Sequence, residues 1–228
     1  MNYSIIIPIY NEGKNISKLS KLIKKNLNKI IYEVIFVDDD SRDNSHLELK
    51  KIKNKNFKYL IRKKERDLSQ SCIDGIKISK FKNIVIMDGD LQHHPNCLTK
   101  MIKKYEIARP DIVVGIRNFS RLKGLNFLRK FMSLFLIFLI NVLLKKKTND
   151  PMSGFFIIKK EKFNKIKKKL YNNGFKILSD IIYSDDKLKI IDFEIKFRKR
   201  KNNKSKMNFK VLVHIIILIF KKKIINFL

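Results

Sequence analysis

The stretch Asn83-Ile84-Val85-Ile86-Met87-Asp88-Gly89-Asp90 decides how this chain is read. Asn83 to Met87 is an almost wholly apolar run, the pattern of a strand buried on both faces. Two aspartates follow it, separated by one glycine. In extended chain, side chains at i and i+2 point the same way, so both carboxylates leave the sheet on one face. Two carboxylates make half of a hard-cation site, whose remaining positions Mg²⁺ fills with water and substrate phosphate.

Working outward, strand and helix patterns alternate. Ser4 to Pro8 predicts a strand. Ile16, Leu19, Leu22, Ile23, Leu27 and Ile30 have helical spacing, with Asn15 or Ser17 as cap. Glu33 to Val37 predicts a second strand, Asn44 to Lys53 a helix, Phe57 to Ile61 a third strand, and Leu68 to Phe81 a helix. Beyond the aspartates come a helix from Pro95 to Ala108 and a strand from Asp111 to Gly115. Such alternation predicts an α/β fold, a mainly parallel sheet flanked by helices, whose ligands bind beyond the carboxyl ends of the strands. Three polar clusters fall at such ends: Tyr10-Asn11-Glu12, Asp38-Asp39-Asp40 and Asp88-Gly89-Asp90.

The second half is different. Phe131 to Leu144 is apolar between basic flanks, and shorter than the ~20 residues a spanning helix needs. It reads as a core helix or as a helix lying at a membrane interface. Ser153 to Ile158 and Ile190 to Phe197 predict strands; Glu161 to Leu170 and Phe175 to Tyr183 predict helices. From Lys196 onward there is no acidic residue, and a dense basic stretch precedes the apolar run Val211 to Phe220. That pairing suits an anionic leaflet.

The chain has 228 residues, enough for one domain with a small appendage: residues 1–207 as the main domain and 208–228 as a peripheral helix. Its 52 basic and 21 acidic residues give a net charge of +31, which favours an anionic partner. Part of that charge follows from a composition rich in Lys, Asn and Ile. Cys72 and Cys97 lack metal-ligand spacing and read as packing residues in a reducing, cytoplasmic compartment. The apolar start is too short for a signal peptide.

Six stretches together resemble glycosyltransferase family 2, with its GT-A (Rossmann-like, nucleotide-sugar-binding) fold, in the branch of dolichol-phosphate mannosyltransferases and polyprenyl-phosphate relatives. They are Ile7-Pro8-Ile9-Tyr10-Asn11-Glu12, Val37-Asp38-Asp39-Asp40-Ser41-Arg42-Asp43, Met87 to Pro95, Asp150-Pro151-Met152-Ser153-Gly154-Phe155, Gly174-Phe175-Lys176-Ile177-Leu178, and Phe197 to Arg200 with Ser205-Lys206-Met207. The chain departs from the pattern at Asp40 (usually Asn or Gly), Gly89 (usually Ala), Leu134 (often Arg), Asp180 (commonly Glu) and Asn203-Lys204 (usually Gly-Glu).

The resemblance implies roles. Asp90 and Gln92 would ligate Mg²⁺ or Mn²⁺ together with the donor diphosphate, and Asp88 would lie against the ribose, sugar or metal shell. Pro8, Tyr10, Glu12, Val37 and Asp39 would hold the nucleoside, with Gly89 in the same site. Arg117, Arg200 and Lys206 would neutralise phosphate, and Arg129 and Ser133 would meet the acceptor phosphate. Asp88, Asp90, Arg117 and Arg200 form the implied catalytic set. His93 and His94 read as shaping the loop before Pro95 rather than as metal ligands or bases.

The implied reaction is inverting transfer of a hexose from a nucleotide sugar, GDP-mannose first, to a polyprenyl phosphate at the cytoplasmic face of a membrane, with room for a membrane partner subunit. A phosphate acceptor is already anionic and needs no base. The alternative is a hydroxyl acceptor in cell-surface glycan synthesis, with Asp150 or Asp180 as base. A nucleic-acid-binding role is disfavoured, because acidic strand ends repel phosphate unless a metal intervenes.

Overall fold

The computed structural model describes residues 1–117, 127–171, 174, 176–196 and 209–225; of residues 127–132, 209–212 and 223–225 it describes only the backbone. The elements run β1 (Asn2–Ile9), α1 (Gly13–Asn26), β2 (Ile31–Asp38), α2 (Ser45–Lys50), β3 (Phe57–Ile61), α3 (Leu68–Ile78), β4 (Asn83–Ile86), α4 (Pro95–Ala108) and β5 (Ile112–Arg117). Then follow α5 (Phe127–Leu143), β6 (Phe156–Lys159), α6 (Lys160–Ile166), a 3₁₀ turn (Lys167–Lys169), α7 (Ile177–Ile182), β7 (Ile190–Ile195) and α8 (Phe209–Ile225).

One seven-stranded sheet has the order β3-β2-β1-β4-β6-β5-β7. Only β6 is antiparallel to its neighbours; β2 and β4 flank β1 in parallel register, β3 runs parallel to β2, and β7 runs parallel to β5. The expected mainly parallel sheet is therefore present, with one strand reversed. Its central strands are apolar on both faces, and their alternation sends side chains into two separate cores. Ile6, Ile84 and Ile86 join α3, α5, α6, α7 and α8 on one side. Ile5, Ile7, Val85 and Met87 join α1 and α4 on the other. Truncating one such isoleucine to alanine costs about 2–5 kcal/mol.

Several boundaries differ from those expected. α1 starts at Gly13, ahead of the expected caps, with Glu12 at the N-cap position. Asn15 instead donates its side-chain amide to Glu12 Oε2 at 2.6 Å. The helix stops at Asn26, so Leu27 and Ile30, though apolar, lie in the turn that follows. β4 ends at Ile86, and the chain turns at Gly89-Asp90. The extended geometry invoked for the aspartates therefore does not hold at that point.

α5 divides its apolar residues between the core and the surface. Leu136, Ile137 and Ile140 are buried in the core, while Phe135, Phe138 and Val142 face outward, Phe138 at 63% exposure. α8 packs on α5 and repeats the division: Ile215, Leu218 and Ile219 are buried, and Val213, Ile216 and Phe220 are open. Lys222, near the end of α8, is 1% exposed; its Nζ lies 2.7 Å from Asp180 Oδ1 and donates to Lys169 O at 2.9 Å. No helix among the described residues is long and apolar enough to cross a membrane.

A buried polar knot joins β1 and β2 near the edge of the sheet. Glu33 accepts from Ser4 Oγ at 2.6 Å, from Lys80 N at 2.7 Å and from Lys58 Nζ at 3.1 Å. Burial opposes ionisation of Glu33, but these donors outweigh it and hold its carboxyl below the ordinary range. Such a group stabilises the fold above the unfolded-state pKa and loses that contribution as pH falls through the folded one. Glu33→Gln should therefore cost about 1–3 kcal/mol at pH 7. Urea unfolding at pH 7 and pH 3.5 should show the gap to wild type narrowing in acid.

Candidate functional site

β1, β2 and β4 are neighbours in the sheet, so the three polar clusters stand side by side at their carboxyl ends. Each loop contains one non-glycine residue in the left-handed region: Asn11 (φ 53°), Asp40 (φ 61°) and Leu91 (φ 62°). Asp40 stands where the resembled pattern has Asn or Gly, the residues that favour this conformation. For a leucine it is strained, and such strain concentrates at functional sites.

Cross-bonding fixes the first two loops against each other. Asn11 N donates to Ser41 Oγ at 2.8 Å, and Arg42 N donates to Asn11 Oδ1 at 2.8 Å. Glu12 N donates to Ser45 Oγ and Gly13 N to Asp43 Oδ2. Asp38 is fully buried; it accepts from Ser41 N at 2.9 Å and lies 2.9 Å from His46 Nε2. Asp39 is buried against Arg62, which also reaches Asp74 Oδ2 and Ser71 Oγ, each at 3.1 Å. Burial pushes the Asp39 carboxyl up, and the Arg62 guanidinium opposes that. The Tyr10 ring carries the Arg66 guanidinium at 4.4 Å from its centroid. Val37, expected at the nucleoside, packs fully buried in the core beside α3, and Pro8 is buried in β1.

The third loop holds the aspartates. Asp90 and Gln92 are 5% and 4% exposed, and Gln92 N donates to Asp90 Oδ1 at 2.9 Å. Asp88 is more open; its Oδ2 lies 3.1 Å from His93 Nε2. At Gly89 a Cβ would come within 2.7 Å of Ile9 Cγ2. The alanine of the resembled pattern would press on Ile9, and that side chain would have to shift to admit it. His94 caps α4 by accepting from Asn96 N at 3.2 Å, in keeping with its expected loop role. Cys72 is fully buried, and burial together with Asp88, Asp67 and Asp39 pushes its thiol well up, so it stays an inert thiol.

Because β6 is reversed, the loop entering it lies at the same edge where the other strands end. That loop, Asp150 to Phe155, supplies the far wall. Arg117, at the end of β5, donates to Asp150 Oδ2 at 2.6 Å and Oδ1 at 2.8 Å, a two-pronged pair around a fully buried carboxylate. Burial works against the charge on Arg117, but Asp150 and, less strongly, Asp88 raise its pKa. Ser153 Oγ donates to Gly115 O at 2.6 Å, and Ser179 Oγ to Pro151 O at 2.6 Å. Gly154 lies under Asp88: a Cβ there would be 2.6 Å from Asp88 Cγ.

Asp88, Asp90, Gln92 and Gly89 thus come from one loop, with Tyr10, Glu12, Asp39 and Arg117 on adjoining ones. Glu12 is turned into the helix start with Asn15. Ser133 is buried on α5. The Arg129 side chain, Arg200 and Lys206 lie outside the described residues. The pairings of Arg62 with Asp39 and of Arg117 with Asp150 were not legible as sequence, because each joins residues far apart along the chain.

For a divalent cation, Asp90, Gln92 and Asp88 are hard oxygen donors on one tight loop, a set that suits Mg²⁺ or Mn²⁺. Among the described residues no group of three His, Cys, Asp or Glu side chains could hold a metal. The donor set fits a cation whose remaining positions a bound diphosphate completes.

The sequence pattern of the family described as "Glycosyl transferase family 2" matches residues 4–167. A protein of Pyrococcus furiosus named dolichol-phosphate mannosyltransferase is 33% identical over 93% of this chain, which spans 61% of that relative's length. A protein of the same name from Mycosarcoma maydis is 28% identical, over 92% of this chain and 74% of its own. Among solved structures, glucosyl-3-phosphoglycerate synthase from Mycobacterium tuberculosis, in complex with Mn²⁺, uridine-diphosphate-glucose and phosphoglyceric acid, superposes with a TM-score of 0.77. That match covers 97% of this chain and 79% of the other at 13% identity, a likeness of fold. The α/β architecture expected from the sequence is thus GT-A-like.

The Arg117–Asp150 pair predicts its own measurement. Arg117→Met leaves Asp150 buried without its cation and should cost about 3–5 kcal/mol. Arg117→Met with Asp150→Leu should recover much of that in urea unfolding.

Proposed function

The chain belongs to glycosyl transferase family 2, and from that premise we propose that it moves a hexose, mannose from GDP-mannose first, from a nucleotide sugar to a polyprenyl phosphate at a membrane surface. The observation that carries the choice of acceptor is the commitment of both candidate bases. Asp150 is held by Arg117, and Asp180 is buried against Lys222. A hydroxyl acceptor needs a group to take its proton. A phosphate acceptor arrives as an anion and needs positioning and partial desolvation instead. The names of the Pyrococcus and Mycosarcoma relatives support the same acceptor class.

In this reading Tyr10 packs on the base and Asp39, steadied by Arg62, lies at the nucleoside edge. Asp90 and Gln92 hold Mg²⁺ or Mn²⁺, and the Mn²⁺ in the glucosyl-3-phosphoglycerate synthase complex supports a divalent ion. When bound, the cation supplies charge stabilisation to the departing nucleoside diphosphate. Arg117 adds a fixed positive charge beside it. Asp88 orients the donor from the other side. Arg129 and Ser133 lie on α5, where they would meet the acceptor phosphate, with Arg200 and Lys206 as further cations. Displacement is in line and inverts the anomeric carbon.

The open apolar faces of α5 and α8 support attachment to a lipid surface, the source of the acceptor. Phe138 and Phe220, at 63% and 64% exposure, would enter the acyl boundary. The net charge of +31 favours an anionic leaflet, and this supports the cytoplasmic face in this reading. α8 is then both a packed part of the catalytic body and its membrane contact. A membrane partner subunit is compatible with the same faces.

Purified protein offered a panel of nucleotide sugars and polyprenyl phosphates should yield a product of the mass of a polyprenyl-phosphate hexose. Mild acid should release its sugar far faster than from an ordinary glycoside; an acid-stable product would indicate a hydroxyl acceptor. Asp90→Ala should remove transfer while leaving thermal unfolding unchanged, and excess chelator should do the same to the wild type. Full activity in either case would rule out the metal role. Phe138→Glu with Phe220→Glu should release the protein from anionic vesicles on sedimentation while donor binding is kept.

A further inference from the structure

We infer that His93 is a positioning residue, which fixes the Asp88 carboxylate for the donor; the inference rests on the transferase reading above. His93 is 2% exposed, and its ring lies 5.3 Å from that of Phe155. With the proton on Nε2, it donates to Asp88 Oδ2 across 3.1 Å. Gly154 lies on another side of the same carboxylate and leaves no space for a Cβ. A carboxylate ordinarily rotates between orientations, and here a donor and a backbone floor restrict it.

The turn that brings the histidine there is strained. Leu91 adopts φ 62°, and this reversal returns residue 93 to residue 88. An open solvated turn has no need of a left-handed leucine. The strain is accounted for if the position of His93 matters to the site.

Charge separation explains why it would matter. Asp88 is near enough to Arg117 to raise its pKa, so carboxylate and guanidinium attract. If they paired, the site would lose an anion aimed at the donor and a cation aimed at its phosphates. Asp150 holds Arg117 from one side and His93 holds Asp88 from the other. Each charge has its own partner and neither neutralises the other. Asp88 then meets the incoming donor in one orientation, with the ordering already done before binding.

The test compares His93→Leu, which removes the donor, with His93→Gln, whose amide reaches the place of Nε2. In His93→Leu, kcat/KM for the sugar donor should fall about 10- to 100-fold, as for other partners that orient a ligating group. His93→Gln should recover most of it. Mn²⁺-dependent binding of GDP and UDP, measured by calorimetry, should follow the same order. In an Asp88→Asn background, His93→Leu should change that binding by less than about twofold, because the carboxylate to be held is gone.

Wild-type kinetics in His93→Leu would overturn the inference. So would an equal loss with and without Asp88, since that describes packing alone. Should His93→Leu fail to fold, His93→Asn, whose amide falls short of Asp88, takes its place. If the wild type binds nucleotide but transfers no sugar, the transferase reading fails, and the binding series alone decides His93. If the wild type binds neither GDP nor UDP with Mn²⁺, both fall.

Discussion

The site depends on one electrostatic constraint: carboxylates buried at the carboxyl edge of the sheet need cations held against them. Arg117 and Asp150, a two-pronged pair with the carboxylate fully buried, carry most of that burden. An unpaired charge at such depth costs several kcal/mol, so the pair also fastens the end of β5 to the loop entering β6. The same solution recurs nearby. Asp39 is buried against Arg62, and Asp180 against Lys222. Each pairing converts a mobile charge into a fixed one, at the cost of making it unavailable as a base.

The reversed strand is what makes this possible. Six strands deliver their carboxyl ends to the cleft, and β6 delivers its amino-terminal approach instead. The loop Asp150 to Phe155 therefore faces the loop Asp88 to His93 across the site. Ser153, Ser179 and Asp192 hold it through hydrogen bonds to Gly115 O, Pro151 O and Asn149 N. Gly154 is the point of closest approach, where only hydrogen is tolerated beside Asp88.

The central strands β1, β2 and β4 were legible in the sequence because they are buried on both faces and read as apolar runs; β3, though half-exposed, also falls at the expected residues, Phe57–Ile61. Helix ends were less legible. Leu27 and Ile30 continue the apolar spacing of α1 past its end, since a buried turn needs apolar residues as much as a helix does. The three loops that form the cleft could be read, as they sit at strand ends. Their partners could not. His46, Arg62 and His93 acquire meaning only from contacts with Asp38, Asp39 and Asp88, and the first two look like ordinary solvated residues in sequence. Lys222 stands in a lysine triplet that reads as a basic flank, yet its side chain is turned inward. Val37 shows the converse: its motif suggested the ligand, and its place in the strand assigns it to the core.

The sheet order has a further consequence for how the chain is assembled. β5 emerges from synthesis well before β6, yet β6 stands between β5 and β4. The first four strands can pair as they appear, whereas β5 has no permanent neighbour until some forty later residues follow it, a delay of seconds at about 5–20 residues per second. During that interval the edge of β4 and the apolar strand β5 are both exposed to mispairing. The nascent chain thus passes through a vulnerable half-sheet, and the later half of the sequence completes the cleft and shields the first.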